Sequence, residues 1–243
     1  MNTQDITPTA LIVGAQNAGA IALRRNLAKH PKVLGIDRQI GFFSSKWERG
    51  PDWYLSQLKS ACPKDQLATN PSVTIEESPS YLTAPEACAR IQSFNPSMKI
   101  IACLSNPVDR AFSRYNDIRS QEPGRIKSSF FATAKAGIAK ENHFLRAGKY
   151  AAQLALYLDA FGPNNVRIIV QEQWVKDPWD TLKNVFGFLG IAAETEFEVA
   201  LPPRTKGKPM PKGARTALNA YFKPHNEALF ELLGYEIPEW ADA

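Results

Sequence analysis

The chain has little from which to build a metal centre or a disulfide framework. Its three cysteines, Cys62, Cys88 and Cys103, are far apart and odd in number, which argues against both a close-spaced zinc motif and a paired scaffold. The three histidines, His30, His143 and His225, are equally scattered, so no metal site is expected. No apolar run approaches the ~20 residues that a membrane span needs. The opening Met1-Asn2-Thr3-Gln4-Asp5 lacks a basic region followed by an apolar core, so the chain reads as soluble and cytoplasmic. Internal repeats and low-complexity tracts are also absent. A nucleic-acid binder would have only the net charge of +5 in its favour, with no accompanying motif, and nucleic acid is not expected as a partner.

What is present is a globular composition, 44% hydrophobic and 22% charged over 243 residues, enough for a single domain spanning 1–243 with residues 1–8 as a flexible tail. Strand-like apolar runs occur at 10–14, 73–76, 99–104 and 166–170. Helical patterns lie between and after them, at 19–29, 85–93, 107–118, 150–160, 179–189 and about 214–233. Strands alternating with helices predict a three-layer α/β sandwich around a central parallel sheet. In such sheets ligands bind at the carboxyl ends of the strands, so chemistry is sought just after each one.

After the first strand comes Gly14-Ala15-Gln16-Asn17-Ala18-Gly19-Ala20-Ile21, a glycine-framed turn that opens a helix. Such a turn aims backbone N–H groups at an anion and gives the fold a P-loop-like nucleotide site. Yet it contains no Lys, Arg, Ser or Thr, and Ala20 and Ile21 stand where a P-loop has its Lys and hydroxyl residue. After the second strand-like run Glu76-Glu77-Ser78-Pro79-Ser80-Tyr81 turns a carboxylate pair into a loop, and Glu76 reads either as a loop-ordering group or as a base. Trp47, Trp53 and Tyr54 read as packing residues or as a stacking surface for a sugar. The basic, proline-rich 202–212 reads as a solvated linker or as a lid over an anion. Residues 121–143 read as a loop with no legible code.

Several of these stretches together resemble the sulfotransferase domain family, especially its heparan sulfate branch and bacterial relatives. They are Leu11-Ile12-Val13-Gly14-Ala15-Gln16, Phe42-Phe43 with 47–54, Glu76 to Leu82, Asn95 to Lys99, Asn106 to Ser113, Tyr150 with Gln153-Leu154, Asp177-Pro178, and Lys206-Gly207. The resemblance implies transfer of a sulfuryl group from 3′-phosphoadenosine 5′-phosphosulfate to a hydroxyl or amine of a carbohydrate or small-molecule acceptor, without a metal. It places the 5′ side of the donor on Gly14, Gln16, Asn17, Ala18, Gly19, Ala20 and Ile21. The 3′-phosphate falls to Ser105, Ser113, Lys206, Gly207 and Lys208.

The same resemblance marks three replaced positions. Asn17 stands at the family's lysine, Gln39 at the glutamate that serves the heparan-type enzymes as general base, and Ser105 at an arginine that grips the 3′-phosphate. A hydrogen bond to a charged group contributes ~1.5–3 kcal/mol, so two lost contacts correspond to roughly 10²–10⁴ in donor affinity. A lost general base costs a further ~10²–10⁴ in rate. Glu76 could stand in as base, with Arg110, Lys206 or Lys208 supplying displaced charge. Two functions follow from this pattern: an impaired sulfotransferase, or a non-catalytic relative that keeps weak nucleotide or glycan binding.

Overall fold

A computed structural model describes residues 6–63, 66, 70–193, 195–203 and 209–241. Five strands, β1 (Ala10–Gly14), β2 (Val33–Gly35), β3 (Val73–Glu77), β4 (Lys99–Leu104) and β5 (Val166–Val170), form one parallel sheet in the order β2-β3-β1-β4-β5. Every residue of β1 is buried, because helices cover both faces, and this is why the run reads apolar throughout instead of alternating. Ala10 pairs with Ile75 on one side and Lys99 on the other.

The helices are α1 (Ala20–Leu27), α2 (Phe42–Ser45), α3 (Pro51–Ser60), α4 (Pro85–Phe94), α5 (Pro107–Gln121), α6 (Phe130–Lys140), α7 (His143–Arg146), α8 (Tyr150–Phe161), α9 (Gln171–Lys176), α10 (Pro178–Leu189) and α11 (Lys212–Leu233). Helix α1 meets α10, while α8 packs against both α4 and α11; the right-handed rule for parallel crossovers sets α1 and α4 on opposite faces of the sheet. A second apolar cluster ties α5 to α6, α7 and α11 through Val108, Tyr115, Phe130, Leu145, Leu218 and Phe222.

Besides the helices α3 and α9, which the sequence reading did not name, three features depart from it. Strand β2 escapes it because three residues carry no periodic signal. Residues 121–143 are not simply a loop: Ser129 caps α6 by accepting from Ala132 N at 3.3 Å, and Phe130 packs on Phe112 and Tyr115. Helix α1 is shorter than expected, because Gly19 at φ +87° stands outside it as the cap and the chain turns at 28–30 towards β2.

Aromatic packing fixes the segment after β2. Phe42 stacks on Tyr54 at 4.5 Å, and Phe43 meets Tyr54, Tyr81 and Phe94 edge-on at 5.2–5.4 Å. Trp47 and Trp53 join Phe42, with Arg90 over the first and Lys46 and Arg49 over the second, so both indoles are engaged in packing.

Gly19 is required on two counts. Its φ is left-handed, and an added Cβ would lie 2.9 Å from both Trp174 and Pro202. Gly19→Ala should therefore cost about 2 kcal/mol, from backbone strain plus overpacking, read as a lower urea midpoint at unchanged slope.

Candidate functional site

The turn after β1 is built as a cradle. At Gly14, φ +149°, an added Cβ would lie 2.8 Å from Leu82 Cβ and 3.0 Å from Pro79 O. Ala15 N donates to Cys103 O and Ala18 N to Ala15 O, which folds the turn back on itself. The amides of Gln16, Asn17, Gly19 and the first three residues of α1, Ala20, Ile21 and Ala22, find no acceptor among the described residues. Open amides at a helix N-terminus suit an anion such as a phosphate oxygen. The Ile21 side chain is exposed and supplies no polar atom.

Asn17 sits at the centre of this turn with φ +64°, a left-handed conformation that Asn tolerates better than most residues. Its Nδ2 donates to Ser113 Oγ at 3.2 Å and to Asp117 Oδ2 at 2.5 Å, while its carbonyl accepts from Ser105 Oγ at 3.4 Å. Its Oδ1 is buried without a partner among the described residues. Three of the residues expected at the site, Asn17, Ser105 and Ser113, are thus brought together. The spacing of Ser113 and Asp117 puts both on one face of α5. That helix starts where it does because Pro107 suits its first turn and Asn106 Oδ1 accepts from Val108 N at 2.9 Å. Tyr150 OH donates to Ser105 O at 2.9 Å and fixes the strand end.

Gln39 lies across from the turn. Gln16 and Gln39 both line a cleft of about 250 Å³ that also takes in Lys46, Ser80 and Thr83. The Gln39 amide donates to Glu77 Oε1 at 2.9 Å, and Arg24 Nε stands 3.8 Å from Glu77 Oε2 while its Nη2 binds Asp37. Burial pushes the Glu77 carboxyl up, Arg24 pulls it back, and the balance lies at about 7. An amide at Gln39 has no protonation chemistry near neutral pH, so it can orient an acceptor but not deprotonate it.

Glu76 is fully buried. Its Oε1 accepts from Ile40 N at 3.3 Å and from Ser78 Oγ, and its Oε2 accepts from Tyr54 OH at 3.4 Å. Desolvation raises its pKa to about 7 against these hydrogen bonds. The carboxylate expected as a possible base is engaged in holding the segment after β2, with no surface open to an acceptor. Arg110, expected as displaced charge, is also buried, donating to Phe144 O at 2.7 Å.

Lys206, Gly207 and Lys208 lie outside the described residues. Among the described residues no three His, Cys, Asp or Glu side chains converge as a metal site would require, and no helix is long and apolar enough to cross a membrane. Sequence reasoning passed over Asp117, although its place one helical turn beyond Ser113 was the available signal. It also passed over the Gln39–Glu77–Arg24 chain, which joins three segments distant in sequence.

Residues 7–212 match the family described as "Sulfotransferase domain". The chain is 30% identical, over a 281-position alignment covering 98% of it, to the human "Bifunctional heparan sulfate N-deacetylase/N-sulfotransferase 3", and it spans 31% of that protein's length. It is 28% identical to human "Heparan sulfate glucosamine 3-O-sulfotransferase 6", covering 94% of this chain and 72% of the relative. A solved sulfotransferase from Alicyclobacillus acidocaldarius superposes with a TM-score of 0.77 at 27% identity, covering 97% of this chain and 99% of the other.

Proposed function

Because this chain belongs to the sulfotransferase domain family, we propose that it holds an adenosine nucleotide of the 3′-phosphoadenosine 5′-phosphosulfate class on the turn of residues 14–21, with a carbohydrate hydroxyl or amine in the adjoining cleft. We place its sulfuryl transfer far below that of a competent enzyme, so that it acts chiefly as a binding protein. The open amides of the turn support nucleotide binding. The cleft beside it, and relatives named for heparan sulfate, support a carbohydrate acceptor.

One observation carries the slowed chemistry. Where charge develops on a departing phosphate, this chain presents the neutral Asn17 amide, and that amide is already committed to the Asp117 carboxylate. Removing a single preorganised donor from such a site typically costs ~10²–10³ in rate. Gln39 removes the base as well.

Nucleotide binding is tested by adenosine 3′,5′-bisphosphate in a thermal shift series. The melting temperature should rise by a few degrees at millimolar ligand, in a concentration-dependent way. A flat series to several millimolar would discard the reading. Catalysis is tested by product release from the sulfuryl donor with a heparan-type oligosaccharide. Turnover below about 0.1 s⁻¹ is expected, against a typical ~10 s⁻¹ for enzymes, and brisk turnover would make the chain an ordinary sulfotransferase.

A further inference from the structure

We propose that Asp117 sets both the affinity and the charge selectivity of the nucleotide subsite, a residue to which the family resemblance assigns no role. The inference rests on the reading that the turn of residues 14–21 holds a nucleotide phosphate. Ser113 Oγ and Asp117 Oδ2 accept from the same Asn17 nitrogen, at 3.2 and 2.5 Å, so a phosphate oxygen reaching Ser113 meets a carboxylate a few ångströms away. No Lys, Arg or His among the described residues forms an ion pair with Asp117. The carboxylate is half-buried, where solvent screens it incompletely. Ser105 Oγ holds the Asn17 carbonyl at 3.4 Å, which helps to keep the amide aimed at α5.

Asp117 consequently does two things. It takes the amide proton that a bound phosphate could otherwise accept, and it repels negative charge placed beside Ser113. The turn keeps its shape and its open amides, but weak binding is built into it, and the penalty grows with the charge the nucleotide carries there.

Calorimetry of wild type and Asp117→Asn with adenosine 3′,5′-bisphosphate tests this, with adenosine as the phosphate-free control. The variant should bind the bisphosphate about 10- to 100-fold more tightly, the scale expected of one like charge removed at a partly screened site, and adenosine within about 2-fold of wild type. Equal, measurable affinity of both proteins for the bisphosphate would overturn the inference and leave the nucleotide reading standing. So would weaker binding by a folded variant, or an equal gain for adenosine, since neither follows from charge. No binding by either protein at several millimolar removes the inference and the reading together. Should the Asn variant fail to fold, Asp117→Ser is scored in the same way.

Discussion

Asn17→Lys, Gln39→Glu and Ser105→Arg introduced together should raise sulfuryl transfer by at least about 10²-fold over wild type, measured as release of adenosine 3′,5′-bisphosphate with a heparan-type acceptor. On the proposed reading, the three changes would put a cation beside the leaving group, a base beside the acceptor and a grip on the far phosphate. Gln39→Glu has a particular advantage here. The new carboxylate would stand against Glu77, whose oxygen is now 2.9 Å from the Gln39 amide, and like charge would raise its pKa towards the working pH of a general base. Asn17→Lys alone should give less than about 10-fold, because Asp117 already takes the Asn17 amide and would take an ammonium more strongly. Ser105 is buried, so the arginine must leave along the turn, and a melting curve on each single variant separates lost folding from lost chemistry. Triple-variant turnover equal to wild type, with the fold intact, would count against the proposed role of the three positions.

Glu76→Gln should change how stability depends on pH by about 2–3 kcal/mol between about pH 5 and pH 8. Burial raises the folded-state pKa of Glu76 from 4.5 to about 7, so folding favours the protonated acid. Its contribution is fully present below the unfolded pKa of 4.5, is lost as pH rises through 7, and is constant beyond. Glu77, raised in the same direction by burial, adds to the slope. The amide in Glu76→Gln is neutral throughout and can still accept from Ile40 N. The variant should therefore gain on wild type as pH rises, read from urea midpoints at the two pH values. A wild-type-minus-variant difference independent of pH would exclude Glu76 as a titrating buried acid.

Much of the fold was legible because a parallel sheet covered on both faces writes itself as continuous apolar runs, as in 10–14 and 100–104, while the edge run 166–170 stays apolar around the exposed Arg167. Strand β2 was not, since Val33–Gly35 is too short to show a period and is held by partners across the sheet. The turn of residues 14–21 was legible because its two glycines are demanded locally, by φ and by close approach. The partners of its central residue were not. Asn17 meets Ser113 and Asp117 across about a hundred residues, and nothing short-range encodes that contact. Glu76 shows the same limit in another form. Its place at a strand end suggested a reactive carboxylate, but only the packing of Ile40 and Tyr54 around it shows that both oxygens are occupied.

The central place of β1 bears on how the molecule breathes. With β3 on one edge and β4 on the other, Leu11 and Ile12 are laddered on both sides, and their amides should exchange with deuterium only when the whole sheet opens. The turn grows directly from that strand. Its backbone is therefore anchored to the slowest-opening part of the protein, so the exposed side chains there, Gln16 and Ile21, can be exchanged for others without the cradle itself loosening.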